Sequence, residues 1–189
     1  MLDVVQIVLW SITYILTVYF MHRNHKIKAI TFPLPACLMN ISWEIVAIVA
    51  SGGFWGHIIW LSLDVIIFTT LIAYLSKEKR KNYLILLVLF VYIIASLFFC
   101  KNGALISVFI IDLIMAVCFW VDRKKIYYDG KIIIATTKLF GDLAAAIFYS
   151  PEQAFVFLCG VAVLILNTSY LIYSILERIK IEKQKKGAP

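Results

Sequence analysis

Long apolar stretches divide the chain into seven segments, and short polar or basic connections separate them. Each stretch is about 17–24 residues long, which is the length that an α-helix needs to cross roughly 30 Å of hydrocarbon. Because the connections are short, we expect consecutive helices to pack as neighbours in sequence order. The predicted spans are Leu2–Met21, Thr31–Ser51, His57–Leu75, Tyr83–Phe99, Gly103–Val121, Lys131–Ser150 and Gln153–Leu176.

This pattern predicts an all-α fold, an integral membrane seven-helix bundle that forms a single domain over residues 1–176. A basic tail at residues 177–189 follows it. The composition agrees, since 63% of the 189 residues are hydrophobic and the mean hydropathy is +0.94. A soluble domain is usually closer to half apolar. The spans leave no room for a separate soluble module.

The basic residues indicate the orientation of the bundle. They cluster in the connections after the first, third and fifth spans and in the tail, whereas the other connections carry only Lys101. The positive-inside rule then predicts an N-terminus outside and a C-terminus in the cytoplasm, in a bacterial cytoplasmic membrane. The net charge of +7 is therefore a topology signal. We expect membrane lipids as partners and no nucleic acid.

Four acidic residues lie inside these apolar spans: Glu44, Asp64, Asp112 and Asp142. A charged side chain at the centre of a bilayer costs on the order of 2.5–3.5 kcal/mol even on lenient insertion scales. All four lie about seven to nine residues from the outer ends of their spans, or roughly 10–14 Å below the outer surface. Four acids at one depth on four helices predict a shared cavity that opens toward the outer leaflet.

Two of these acids are expected to be paired within the bundle. Lys138 lies one helical turn before Asp142 and shares its face, a spacing that favours an internal ion pair. For Asp112 we expect an interhelical hydrogen bond. Such pairing would neutralise these groups and make them structural.

Glu44 and Asp64 have no basic residue one turn away on their own helices. Trp43 adjoins Glu44, and Trp60 lies one turn before Asp64. A carboxyl in such a dry, aromatic setting favours its protonated form and is a Brønsted acid held near apolar substrate. His57 at the start of the third span could assist a proton relay, although we expect a headgroup contact there.

Several aromatic residues lie deeper than an interfacial belt requires. Trp10 and Tyr14 share one face of the first span, and Trp10 lies at a depth comparable to Trp43 and Trp60. Electron-rich ring faces can stabilise a developing carbocation through cation–π attraction. The alternative is that these large side chains simply pack the bundle.

The segment PLPACLMNISWE, which contains Asn40 and Glu44, is followed about twenty residues later by WLSLD, which ends at Asp64. This pair of segments resembles the membrane-bound terpene cyclases of meroterpenoid pathways, seven-span proteins related to the fungal pyripyropene and paxilline cyclases. The resemblance covers the second and third helices in motif and the whole chain in span number, although this chain is shorter. It implies protonation of an epoxide or terminal alkene on a lipid-soluble prenylated substrate, followed by polyene cyclisation.

By that resemblance Glu44 would be the proton donor or part of its network, with Asn40 orienting it and Asp64 supporting it. The fungal enzymes also use an acid late in the chain, where this last span has Asn167 in LNTSY. Asp142 or Asp112 would take that role. The resemblance thus makes four acids candidate catalytic residues, with a substrate-binding set of Asn40, Trp43, Trp60, Trp10, Tyr14 and Asn167.

The chain lacks the sequence motifs of several other reaction classes. The chain has no DDxxD, NDxxD or DxDD sequence and no serine-nucleophile or zinc motif. Its four cysteines lie in apolar segments without a CxxC or Cys/His cluster, which favours packing. We therefore expect no metal and no cofactor.

Three alternatives remain open at this point. Intramembrane acids are also typical of a small proton-coupled transporter or channel. The missing internal repeat and the lack of helices broken in mid-membrane count against it. Another lipid-modifying enzyme, such as a lysoplasmalogenase-like hydrolase, or a non-catalytic assembly or sensor protein, would also fit. A retinal protein fits poorly, because Lys138 lies in the sixth span rather than the last.

Overall fold

The described elements of the protein are α-helices, with bounds that follow the apolar segments closely. The computed structural model describes residues 2–24, 33–53, 55–73, 75–100, 103–124, 126, 130–149 and 154–186. The helices are α1 (Leu2–Asn24), α2 (Leu34–Ser51), α3 (Trp55–Ala73), α4 (Lys77–Phe98), α5 (Gly103–Asp122), α6 (Lys131–Tyr149) and α7 (Ala154–Lys186).

Five of these helices, α1, α3, α4, α5 and α7, are long and apolar enough to cross a membrane. The apolar part of α2 is shorter, and α6 carries Lys131, Lys138 and Asp142. Large apolar side chains are exposed on the outside of the bundle, for example Val88 at 71% on α4. Such a surface suits lipid and supports an integral membrane protein.

The fourth and seventh helices are clearly longer than the hydropathy pattern predicted. The fourth helix begins at Lys77 rather than Tyr83, because the side chain of Ser76 caps it and accepts from the Lys79 amide at 3.4 Å. The seventh continues past Leu176, so the basic tail is helical through Lys186. Lysine, glutamate and arginine are good helix formers in water, so a helix need not end where its apolar run ends. The predicted bounds Thr31, Ser150 and Gln153, and the topology residue Lys101, lie outside the described residues.

The expectation that all consecutive helices pack together is wrong. In the described part of the chain, α1 packs against α3 and α6 rather than α2, and α5 packs against α7 rather than α6. The connections at 25–33 and 123–130 can reach roughly 25–30 Å, more than two helix diameters, so they need not join neighbours. The order around the bundle is α1, α3, α2, α5, α7, α6, with α4 outside against α2 and α5.

The main hydrophobic core fills one end of this bundle. It includes Met21 near the end of α1, Leu38 near the start of α2, and Ile67, Phe119 and Ile126. Buried hydroxyl groups in the helices bond to the carbonyl one turn earlier, as Ser42 does to Leu38 at 2.8 Å, which satisfies them away from water. The opposite end, where α1, α3 and α5 begin and α2 ends, is less filled and holds the site.

Candidate functional site

A cavity of about 490 Å³ opens in the half of the bundle where α1, α3 and α5 begin. One part of its wall is apolar and includes Ile7, Leu105, Val108 and Phe109. The rest combines aromatic rings with polar groups, and it brings together most of the residues that the sequence singled out. These are Trp10, Tyr14, Asn40, Trp43, Glu44, His57, Trp60 and Asp112.

The carboxyl of Glu44 is paired with an imidazole from the neighbouring helix. Oε2 of Glu44 lies 2.8 Å from Nδ1 of His57. The His57 ring packs edge-on against two indoles, with centroid distances of 5.3 Å to Trp43 and 5.8 Å to Trp60. The imidazole of His57, for which we expected a headgroup contact, thus has a partner inside the protein.

Asp64 lies behind the cavity wall instead of on it. It is fully buried, and its Oδ2 accepts a hydrogen bond from Nδ2 of Asn40 at 2.6 Å. Asn40 also donates to the hydroxyl of Tyr14. The resemblance implied that Asn40 orients Glu44. In the structure its amide instead orients Asp64 and Tyr14. Asp64 can reach the cavity through these two residues.

Asp142 is also held behind the wall, in the ion pair that the sequence predicts. Its Oδ2 accepts from Nζ of Lys138 at 2.8 Å and from the amide of Asn167 on α7. The Lys138 ammonium lies 4.9 Å from the centroid of the Trp10 ring. Asn167, predicted to bind substrate, therefore binds Asp142 instead and fixes a sealed polar cluster.

Asp112 is the second carboxyl on the cavity wall. The expected interhelical hydrogen bond is wrong for the described part of the chain, which offers Asp112 no such partner. It lies on α5, close enough to the Asp142–Lys138 pair and to Glu44 to interact with them electrostatically. The four acids thus form two kinds of position, with Glu44 and Asp112 open to the cavity and Asp64 and Asp142 sealed.

The tryptophan rings are fixed by hydrogen bonds that leave ring surface for the cavity. Nε1 of Trp43 donates to the hydroxyl of Ser107 at 3.1 Å, and Nε1 of Trp60 donates to Ser11 at 3.1 Å. Sequence reasoning missed both serines, because their partners lie on other helices. The role of His57 had a usable signal, since it lies one turn before Trp60 and shares its helix face.

The described residues contain no group of three or more His, Cys, Asp or Glu side chains that could hold a metal ion. No protein-family model, curated protein or solved structure matches the chain. The fold and site define a helical, membrane-type bundle with an acid-bearing aromatic cavity.

Proposed function

We propose that the protein is a membrane-bound terpene cyclase that protonates an epoxide or alkene of a prenyl chain and starts polyene cyclisation. The observation that carries the proposal is the cavity itself. In it a carboxyl group, Glu44, faces a chamber walled by Trp10, Trp43 and Trp60 and by apolar side chains. The resemblance of the NISWE and WLSLD segments to membrane terpene cyclases supports the same reading.

The chemistry assigns a role to each part of the wall. Glu44 transfers its proton to the epoxide oxygen or to the terminal alkene carbon, and the electron-poor carbon is attacked by the next double bond. Positive charge moves along the chain as rings form, and the indole faces stabilise it by cation–π attraction. The final cation loses a proton to a base, which we assign to Asp112, so the product has the mass of the substrate.

The four candidate acids are therefore not equivalent in this proposal. Asp142 is neutralised by Lys138 and held by Asn167. Asp112 faces the cavity, which makes it the better candidate for the second acidic residue that the resemblance implies late in the chain. In this proposal that residue is the terminal base. Asp64 does not face the cavity. It positions Asn40 through a hydrogen bond, and Asn40 in turn positions the hydroxyl of Tyr14.

The substrate class follows from size and surroundings. A volume of about 490 Å³ falls within the roughly 300–1,000 Å³ range of small-molecule sites, which are mostly apolar with a few placed polar groups. A lipid-soluble prenylated molecule can dissolve in the bilayer and enter from it. No cofactor is needed for acid-initiated cyclisation.

The proposal is tested by incubating membranes that contain the full chain with prenylated and epoxy-prenylated acceptors. We expect a product of unchanged mass and new retention time. Glu44→Gln should lower the rate by at least about 100-fold, the usual contribution of a general acid. The matched control is Glu78→Gln, an exposed acid on α4 that should leave the rate unchanged.

Three results would overturn the proposal or its assignment of the acid. Full cyclisation by a Glu44→Gln variant with retained helix content would remove Glu44 from the donor role. Release of an aldehyde or headgroup would identify a hydrolase instead. Flux driven by a pH gradient in proteoliposomes, without any change of substrate, would identify a transporter.

A further inference from the structure

The two members of the Glu44–His57 pair are unequally exposed. The side chain of Glu44 is 5% exposed, whereas that of His57 is 16% exposed. His57 lies in the first turn of α3, at the end of the bundle where the cavity opens. The imidazole therefore stands between the buried carboxyl and the surface of the protein.

A buried acid that gives a proton to an apolar substrate must be recharged before it can act again. While the cavity is occupied, substrate or product separates Glu44 from water that would enter through the cavity. A route along the wall at the open end of the cavity needs a titratable group in contact with the carboxyl. Histidine suits this role, because its imidazole has two ring nitrogens, and each can donate or accept a proton.

We propose that His57 is the proton conduit of this site, carrying protons from water at the open end of the bundle to Glu44. The step is a single transfer. The Nδ1 proton of the imidazolium moves to Oε2 of the Glu44 carboxylate, which leaves a neutral imidazole and a neutral carboxyl. The neutral imidazole keeps its other proton on Nε2. Its Nδ1 regains a proton from hydronium when the ring turns about the Cβ–Cγ bond toward the open end, and a water molecule is left.

The geometry suits such a transfer. The two atoms lie at hydrogen-bond distance, 2.8 Å, so the transfer to Glu44 itself requires no side-chain movement. T-shaped contacts with Trp43 and Trp60 favour the ring orientation in which Nδ1 faces Glu44. The ring is thus positioned toward Glu44 by packing, as a relay group must be.

Other titratable groups face Glu44 from the surrounding helices: Tyr14 on α1, Asp64 on α3 and Asp112 on α5. Asp64 is fully buried and bonded to Asn40, so it has no path to water of its own. In the described part of the chain, none of the three is hydrogen-bonded to Glu44. His57 is the group in direct contact.

The first test needs no substrate, so its result does not depend on the proposed function. The infrared band of the Glu44 carboxyl, identified by its loss in Glu44→Gln, is followed in membranes after mixing with D₂O buffer, at a pH where the band is present. We expect His57→Gln to slow deuterium exchange of this band at least 10-fold. Added imidazole should restore the rate in His57→Ala.

The matched control is His22→Gln, which makes the same change at an exposed histidine near the other end of α1. It should exchange at the rate of the unmodified protein. Exchange at that same rate in His57→Gln would overturn the proposal. So would slow exchange in His57→Ala that imidazole fails to restore, because that pattern means a purely structural contact.

A chemical arm covers the case in which the variants fail to fold. Diethyl pyrocarbonate modifies histidine in the folded, unmodified protein, and His22→Gln removes one competing target. Modification mapped to His57 should slow exchange of the Glu44 band by a similar factor. Unchanged exchange after complete modification of His57 would overturn the proposal.

A kinetic arm rests on the proposed function. With a confirmed substrate, His57→Gln should retain the first turnover, because Glu44 starts protonated, and should slow later turnovers at least 10-fold. A variant whose first and later turnovers are slowed equally would argue against recharging. If no substrate is ever cyclised, the proposed function fails while the exchange experiment still decides the conduit.

Discussion

Replacing Lys138 by Met tests whether the Lys138–Asp142 ion pair of α6 stabilises the packing of α6 against α1 and α7. Nζ of Lys138 lies 2.8 Å from Oδ2 of Asp142, and both residues are buried. The ammonium also lies 4.9 Å from the centre of the Trp10 ring. The other carboxylate oxygen, Oδ1 of Asp142, has no hydrogen-bond partner among the described residues. Lys138→Met therefore leaves a buried carboxylate with Asn167 as its remaining partner.

The size of the effect is set by two opposing contributions. At 2.8 Å and an effective dielectric constant of about 20, the Coulomb attraction is about 6 kcal/mol, and desolvation of both charges offsets much of it. The abandoned carboxylate can instead take up a proton. An aspartate side chain has an ordinary pKa near 3.9, so protonating it at pH 7 costs about 4 kcal/mol. We expect a loss of about 3–5 kcal/mol in the free energy of unfolding at pH 7.

The pH dependence follows from the same reasoning. The neutral carboxyl becomes easier to form as the pH falls, by about 1.4 kcal/mol per pH unit. The variant cannot lose more stability than the cost of protonating Asp142. That cost falls to about 2 kcal/mol at pH 5.5. Most of the loss should also be recovered in the double variant Lys138→Met/Asp142→Asn, because it removes the unpaired charge.

The measurement is reversible unfolding in mixed detergent micelles, followed by helix content at pH 7 and pH 5.5. Arg178→Met is the matched control, because Arg178 pairs with Glu182 at the same i, i+4 spacing and 2.7 Å, but with both side chains half exposed. It should cost less than about 1 kcal/mol. A Lys138→Met variant within 1 kcal/mol of the unmodified protein, or a penalty independent of pH, would refute the reasoning.

The remaining predictions concern the packing around the cavity. A Cβ at Gly141 would lie 3.0 Å from Cδ1 of Trp10, so Gly141→Ala should displace the ring and cost about 1–3 kcal/mol in thermal unfolding. Gly160→Ala, whose nearest neighbour would be at 3.4 Å, should stay within about 1 kcal/mol; equal effects at both sites would contradict this. Asn40→Leu removes the donor to Asp64 and should cost about 1–3 kcal/mol, measured in the same way. A loss below about 0.5 kcal/mol would mean that this hydrogen bond is unimportant.

The sequence predicts the helices well and their arrangement poorly. An apolar run of sufficient length needs every backbone group paired internally, which only a helix or a closed barrel provides in lipid. That requirement locates α1 and α5 to within a few residues. Which helix lies beside which depends on the shapes of their faces, and helices of similar hydropathy leave that undecided. The packing of α1 beside α3 and α6 could therefore not be predicted.

The same limit applies to the site. Depth along each helix predicted that Glu44, Asp64, Asp112 and Asp142 lie near one level. Glu44 and Asp112 do share the cavity. Depth does not fix the rotation of a helix about its axis, and that rotation decides between facing a cavity and facing a neighbour. The partnership of Glu44 with His57 joins two helices, so no local pattern contains it.

In the proposed function, the division of the four acids lets one layer serve both folding and chemistry. A buried carboxylate without a partner destabilises the bundle, so acids kept for folding must be bonded, as Asp142 is by Lys138 and Asn167. An acid kept for chemistry must instead exchange its proton, which full pairing prevents. In the proposed cyclase, Glu44 meets that requirement through its hydrogen bond to His57. Its contact with His57 is thus the feature of the polar layer that packing alone does not explain.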